Sequence, residues 1–261
     1  MRKIVISHFY NEEYLLPWWL KHHKNYFDHG IMVDYHSTDN SRKIIYDICP
    51  KWDVITSLNP NFEAVAVDQE IMSIESWFKE DTWKITLNTT EFLVSTKEDW
   101  NNEAIFKKYS QIRIPCHAMV DTELDKQDLS YDIPLHEQKD KGINVHVKPR
   151  FWNIRSSRSM HRINVEYSVG RHFSSYSTDR DLVKAFKDGT TSTNFNILWF
   201  GFAPFNEKLL KRKLQIQHVM PKNGFGVQHI TNEDKQMEKY KELLQNTGEM
   251  SFLKNQEILT F

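Results

Sequence analysis

Apolar and polar positions follow two alternating periods along the first third of the chain. Lys3 to Ser7 is a short, β-branched apolar run, the pattern of a strand buried on both faces. Asn11-Glu12-Glu13 then opens a helix with acids in its first turn, where they complement the backbone dipoles. Pro17 in a helix interior would cost about 3 kcal/mol. A helix therefore begins afresh there and carries Trp18, Trp19 and His22 or His23 onward, and Gly30 ends the element. Ile31 to Tyr35 predicts a second strand. Ser37-Thr38-Asp39-Asn40-Ser41 is a dense turn and cap signal feeding a helix from Ser41 to Cys49, which Pro50 stops. Asp53 to Ser57 predicts a third strand. Val67, Ile71, Ile74 and Phe78 recur at helical steps and predict an amphipathic helix over Ala64 to Phe78. Trp83 to Leu87 predicts a fourth strand.

Such strand-helix alternation predicts an α/β fold, with a mostly parallel central sheet flanked by helices and a ligand crevice at the carboxyl ends of the strands. The loops after Ser7, Tyr35 and Leu87 share that edge. A further strand is expected over Gln111 to Ala118. Beyond it the pattern becomes less regular: an acidic loop from Asp121 to Asp140, a basic stretch from Lys148 to Arg171, a helix from Glu207 to Val219, and a charged tail helix after Asn232. No repeat and no Gly- or Pro-rich linker divides the chain, so a single domain spanning 1–261 is expected.

Composition changes this picture little. Lys and Arg number 34 against 35 Asp and Glu, so no overall field draws the chain to nucleic acid or to an acidic membrane. Cys49 and Cys116 are too few for a disulfide framework and fit a reducing, cytoplasmic setting. The apolar run at the N-terminus is too short for a signal peptide, and no integral membrane segment is expected. The helix from Glu207 can rest peripherally on a membrane surface, although core packing explains its leucines more simply. With 13% aromatic residues, side chains remain over from the core for stacking a ligand.

Two segments carry candidate chemistry by position. Ser7-His8-Phe9-Tyr10-Asn11-Glu12-Glu13 follows the first strand and can offer backbone N–H groups and an aromatic ring to a nucleotide; a plain helix cap explains Asn11 and the acids equally well. Asp34, at the end of the second strand, can accept a hydrogen bond from a uracil N3 or a ribose hydroxyl. Alternatively it bonds the Ser37-Thr38 turn beside it.

These segments resemble the family 2-like glycosyltransferases of the GT-A fold. The likeness rests on Asn11-Glu12, Leu16-Pro17-Trp18-Trp19, His22 or His23, and Asp34 followed by Ser37-Thr38-Asp39; it resumes at Trp83 to Val94 and more faintly at Lys148 and at Asn206 to Lys213. The resemblance implies a nucleoside-diphosphate sugar donor, first of all a UDP-sugar, and a glycan or lipid-linked acceptor. It assigns residues 1–120 to a nucleotide-sugar-binding half and 121–261 to an acceptor half. The nucleotide site it implies is His8, Tyr10, Asn11, Glu12, Asp34, Tyr35, Asn88 and Thr90.

One motif departs. Where the family carries an acidic Asp-x-Asp holding Mn2+ or Mg2+ on the donor diphosphate, this chain reads Leu87-Asn88-Thr89-Thr90-Glu91-Phe92. Asn88 and Thr90 offer only neutral oxygens, so a metal would lean on Glu91 and His172, and weak or no metal dependence is expected. The diphosphate charge must then be met by basic side chains, because that electrostatic contribution dominates such transfers. Lys148, Arg150 and His172 are the expected ligands, within a basic run that includes Arg155, Arg158, Arg162 and Arg171, with His161 a rival to His172. Asp121 is the expected catalytic base, ahead of Glu123 and Asp125, with Glu91 as second catalytic carboxylate. Competing readings are an inactive protein that keeps the fold and binds nucleotide or glycan, and a nucleotidyltransferase, which would need the acidic ligands this chain lacks.

Overall fold

The computed structural model describes residues 1–79, 81–122, 124, 129–145, 148, 157–171, 195–221, 225, 227–254 and 257–260. Four parallel strands form its N-terminal half: β1 (Lys3–Phe9), β2 (His29–Asp34), β3 (Asp53–Thr56) and β4 (Trp83–Thr86), in the order β4-β1-β2-β3. Their crossovers hold helices α1 (Leu16–His23), α2 (Ser41–Ile48) and α3 (Ala64–Glu75). Pro17 sits in the first turn of α1, where its missing N–H costs nothing. Alternate residues of β1 enter opposite layers. Ile4 and Ile6 pack with Ile31, Val33 and the Val67, Ile71 and Ile74 stripe of α3, while Val5 and Phe9 join the larger core with Trp18, Trp19 and Ile85. Burial on both faces is why β1 lacks a polar alternation.

The expected α/β architecture, a parallel sheet flanked by helices, is present, and the second half extends it with antiparallel strands. A strand not expected from the pattern, β5 (Glu91–Val94), follows β4 after a short turn. Beyond α4 (Lys97–Asn101) and α5 (Glu103–Lys108) comes β6 (Gln111–Val120), which joins the two parts. Its first half pairs antiparallel with β8 (Ser157–His161), itself beside β4; its second half pairs with β9 (Asn196–Phe202) and, past α6 (Leu135–Gln138), with β7 (Lys141–Ile143). β5 closes against β9. Helices α7 (Glu207–Gln215) and α8 (Glu233–Leu244), then β10 (Gly248–Glu249) and α9 (Ser251–Lys254), complete the order. No helix among the described residues is long and apolar enough to cross a membrane.

Gly30 does not end an element. It lies inside β2, paired with Val5 of β1, and must be glycine because the Trp52 ring covers it so closely that a Cβ would stand 2.2 Å from the ring.

Candidate functional site

A pocket of about 730 Å³ opens at the carboxyl ends of β1 and β4. His8, Phe9, Tyr10 and Glu12 reach it from β1 and its loop; Asn88, Thr89, Thr90 and Glu91 from the β4–β5 turn; Trp199 and Gly201 from β9; and Arg212 and Lys213 from α7. Ala64, Val67 and Asp68 of α3, with Arg158 and Arg171, form the facing wall. Gly201 is required there because the Trp199 ring lies across it, 2.2 Å from where a Cβ would stand.

Every carboxylate named on this wall faces a guanidinium. Glu91 is gripped by Arg158 through Nε–Oε2 and Nη2–Oε1 bonds of 2.9 and 2.6 Å, and also accepts from the Asn88 N–H and side-chain amide at 2.8 and 3.2 Å. Glu12 is held by Arg212 through two bonds. Asp68 pairs with Arg171 Nη1 and accepts the Gly170 N–H at 2.8 Å. Burial pushes the Glu12 and Asp68 carboxyls up, and the charges of Arg212 and Arg171 oppose it. Burial works to lower Arg158, but the Glu91 charge and bonds raise it overall. His8 is driven well down by burial and by the charges of Arg171 and Arg158, so the ring is neutral at pH 7. Its edge lies against Arg171 Nη2, 3.2 and 3.3 Å from the two ring nitrogens. The Phe62 ring stands 4.8 Å from His8 and 4.7 Å from Tyr35, making an aromatic edge to the pocket.

Six of the expected residues thus share one cavity: His8, Tyr10, Glu12, Asn88, Thr90 and Glu91. Glu91 nevertheless has no oxygen left for a metal or a proton in transit, since both are bonded to Arg158 and Asn88. The wall therefore does not suit a divalent cation, whose ligands would have to displace bidentate arginines, and no group of three or more metal-ligating side chains occurs among the described residues.

Asp34 and Tyr35 do not line the pocket. Asp34 is buried, with one oxygen accepting the Ser37 N–H at 2.8 Å and the other facing Arg42 at 2.8 Å, so the turn and α2 consume the acceptor that a base or ribose would need. The Tyr35 hydroxyl donates to Glu70 at 2.8 Å. Asn11 is a clasp between loops. At φ 50° it accepts the Thr38 N–H at 2.7 Å, and its own N–H donates to Ser37 at 3.0 Å. The two loops do converge, but on each other. Asp121 is bonded to the Phe205 N–H and to Lys139 Nζ, the latter at 2.9 Å, away from the pocket wall, so it is not poised as a base there. Lys148 donates to the Asn246 carbonyl at 2.6 Å, pinning the end of α8 rather than facing the cavity. His161 is buried and does not line the pocket; its Nε2 lies 2.7 Å from the Tyr167 hydroxyl and 3.4 Å from Glu75. Arg150, Arg155, His172, Glu123 and Asp125 lie outside the described residues.

Asp68, Arg212, Lys213, Phe62 and Trp199 were not expected. A signal for two of them was present: Arg212 and Lys213 follow Leu209 by three and four residues, which puts them on the buried face of α7.

No protein-family model matches the chain, and no curated protein matches it. Among solved structures the chain is similar to S. aureus TarS 1-349, at 14% identity and TM-score 0.35, over 50% of this chain and 38% of that one. It is also similar to the mannosyltransferase PcManGT from Pyrobaculum calidifontis in complex with GDP-Man and Mn2+, at 14% identity and TM-score 0.34, over 46% and 36%. A mannose-6-phosphate isomerase from Helicobacter pylori stands beside them, at 13% identity and TM-score 0.32, over 48% and 53%. The chain spans well under half the length of the two transferases, and likenesses of this depth carry no functional weight.

Proposed function

We propose that the chain binds a nucleoside-diphosphate sugar in this pocket and transfers the sugar to an acceptor hydroxyl, with buried arginine and lysine in place of a metal at the diphosphate. The observation that supports it most is the pocket itself. It lies at the carboxyl edge of a parallel sheet, has the volume of a cofactor-sized site, and combines aromatic faces at Tyr10 and Phe62 with three buried or half-buried guanidiniums. Asn88 and Thr90 supply neutral hydrogen-bonding groups where the resembled family has aspartates. A UDP-sugar is the first donor to test, with glycans and lipid-linked sugars as acceptors.

Calorimetric titration with UDP, GDP, UDP-glucose and GDP-mannose is the test, each with and without EDTA. Saturable binding of at least one nucleotide sugar, unchanged by chelator, supports the reading; binding of none overturns it. A second reading, nucleotide or glycan binding without turnover, is favoured by one feature: each carboxylate lining the described wall is paired with an arginine, leaving none as an unencumbered base. Release of free nucleotide from a bound donor above the rate in buffer decides for transfer.

A further inference from the structure

Two side chains of this wall keep a nitrogen donor in reserve for a ligand. Arg158 spends its bonds on Glu91 and the Gly170 carbonyl, Arg212 gives Nε and Nη2 to Glu12, and Arg171 gives Nη1 to Asp68 and rests Nη2 against His8 and Asn88. The Arg171 Nε is buried with no partner. Such an orphaned guanidinium N–H costs free energy unless something occupies it. Its backbone is also held in the left-handed region at φ 57°, directly after Gly170 at φ 81°, a conformation that costs free energy and recurs at ligand-binding sites. Lys213 is the second. Its Nζ stands 4.0 Å from the Phe202 ring centre and 5.8 Å from that of Trp199, and among the described residues it forms no ion pair. Among the described residues, the charged or titratable groups that act on it are Arg212 on its own helix and His229 from the segment before α8.

Resting on the nucleotide-sugar reading, we infer that Lys213 Nζ and Arg171 Nε form the anion subsite of the pocket, and that a diphosphate binds there with uptake of one proton by Lys213. Burial, with a lesser contribution from Arg212, lowers the Lys213 ammonium to about 7, so the unliganded side chain is largely neutral above that pH. A bound diphosphate restores the charged form. The sign follows: below about pH 7 the amine is already protonated and binding takes up nothing; above it, uptake rises toward one proton and affinity falls by up to tenfold per pH unit.

The probe is UDP-glucose, whose diphosphate has no titrating proton in this range, measured calorimetrically at pH 6 and pH 8.5 in buffers of different ionisation enthalpy. The expected result is no uptake at pH 6 and close to one proton at pH 8.5. Lys213→Met, which keeps the stem against Phe202, is expected to weaken binding at pH 6 about tenfold and to abolish uptake. Lys213→Arg should keep the affinity and lose the uptake, and Arg171→Lys, which keeps the charge opposite Asp68 but removes Nε, should weaken binding about fivefold. Circular dichroism and melting curves confirm that each variant is folded. Equal affinity and equal proton count in wild type and Lys213→Met overturn the subsite and leave the nucleotide-sugar reading standing. Inorganic pyrophosphate bound in a Lys213-dependent way, with no nucleotide sugar bound, overturns that reading and keeps the subsite; binding of neither overturns both.

Discussion

Arg158 closes over Glu91 with two parallel bonds, and neither side chain is more than 5% exposed. A pair so enclosed is a structural commitment. Each charge is balanced chiefly by the other, with Asp68 a lesser neighbour of Arg158, so losing one partner leaves the other largely uncompensated in low dielectric.

Glu91→Gln is accordingly expected to destabilise the fold by about 3 kcal/mol, because it leaves Arg158 uncompensated. The double variant Glu91→Leu with Arg158→Met should recover most of that loss. Urea denaturation of the wild type, Glu91→Leu, Arg158→Met and the double variant reads the coupling; additive losses would show that the pair is not a unit.

Asp34 binds its own turn and Arg42 and not the pocket, so Asp34→Asn should change nucleotide-sugar affinity by less than about twofold while lowering the melting temperature. A collapse of affinity in a folded Asp34→Asn protein would place this residue back at the base or ribose.

Asn11 combines a left-handed backbone with side-chain bonds to the opposite loop. Asn11→Gly keeps the backbone and loses the bonds; Asn11→Ala loses both. The alanine variant should therefore be less stable than the glycine variant by about 1 kcal/mol in chemical denaturation. Equal stability would mean that backbone conformation contributes nothing at this clasp.

Acid should unfold the protein through α1. Burial lowers His22 to about 3 and His136 to about 4, and their rings stand 5.8 Å apart with the Nδ1 of each buried and unpartnered. Both native-state values lie below the ordinary 6.5, so the unfolded chain takes up protons first. The neutral rings' advantage is complete above about pH 6.5 and is lost as the pH falls toward 4. His136→Leu should flatten the fall in stability across that window, measured as melting temperature against pH. An unchanged slope would mean that other groups set the acid limit.

The parallel half of the fold was legible because its pattern is local: β-branched runs, the turn signal at Ser37 to Ser41 and the Val67-Ile71-Ile74 stripe each follow from nearest-neighbour chemistry. The strand β5 was not. Phe92-Leu93-Val94 directly follows the Asn88–Thr90 turn, and its pairing with the distant β9 is what makes it a strand. For the site, the edge of the sheet and six of its residues could be read from order along the chain. The fate of each carboxylate could not, since Glu91 meets Arg158, Asp68 meets Arg171 and Glu12 meets Arg212 across separations of 67 to 200 residues. Asp34 shows the reverse case: the local alternative, an acid bonding the turn three residues on, is the one the fold adopts.

Trp199 lies flat over Gly201 on the pocket wall, with the Lys213 ammonium above its ring. An indole so placed emits according to the charge beside it, and the protein thereby carries its own fluorophore for site occupancy. Quenching or a spectral shift on titration, absent in Trp199→Phe, would follow ligand entry and Lys213 protonation in stopped-flow without any label.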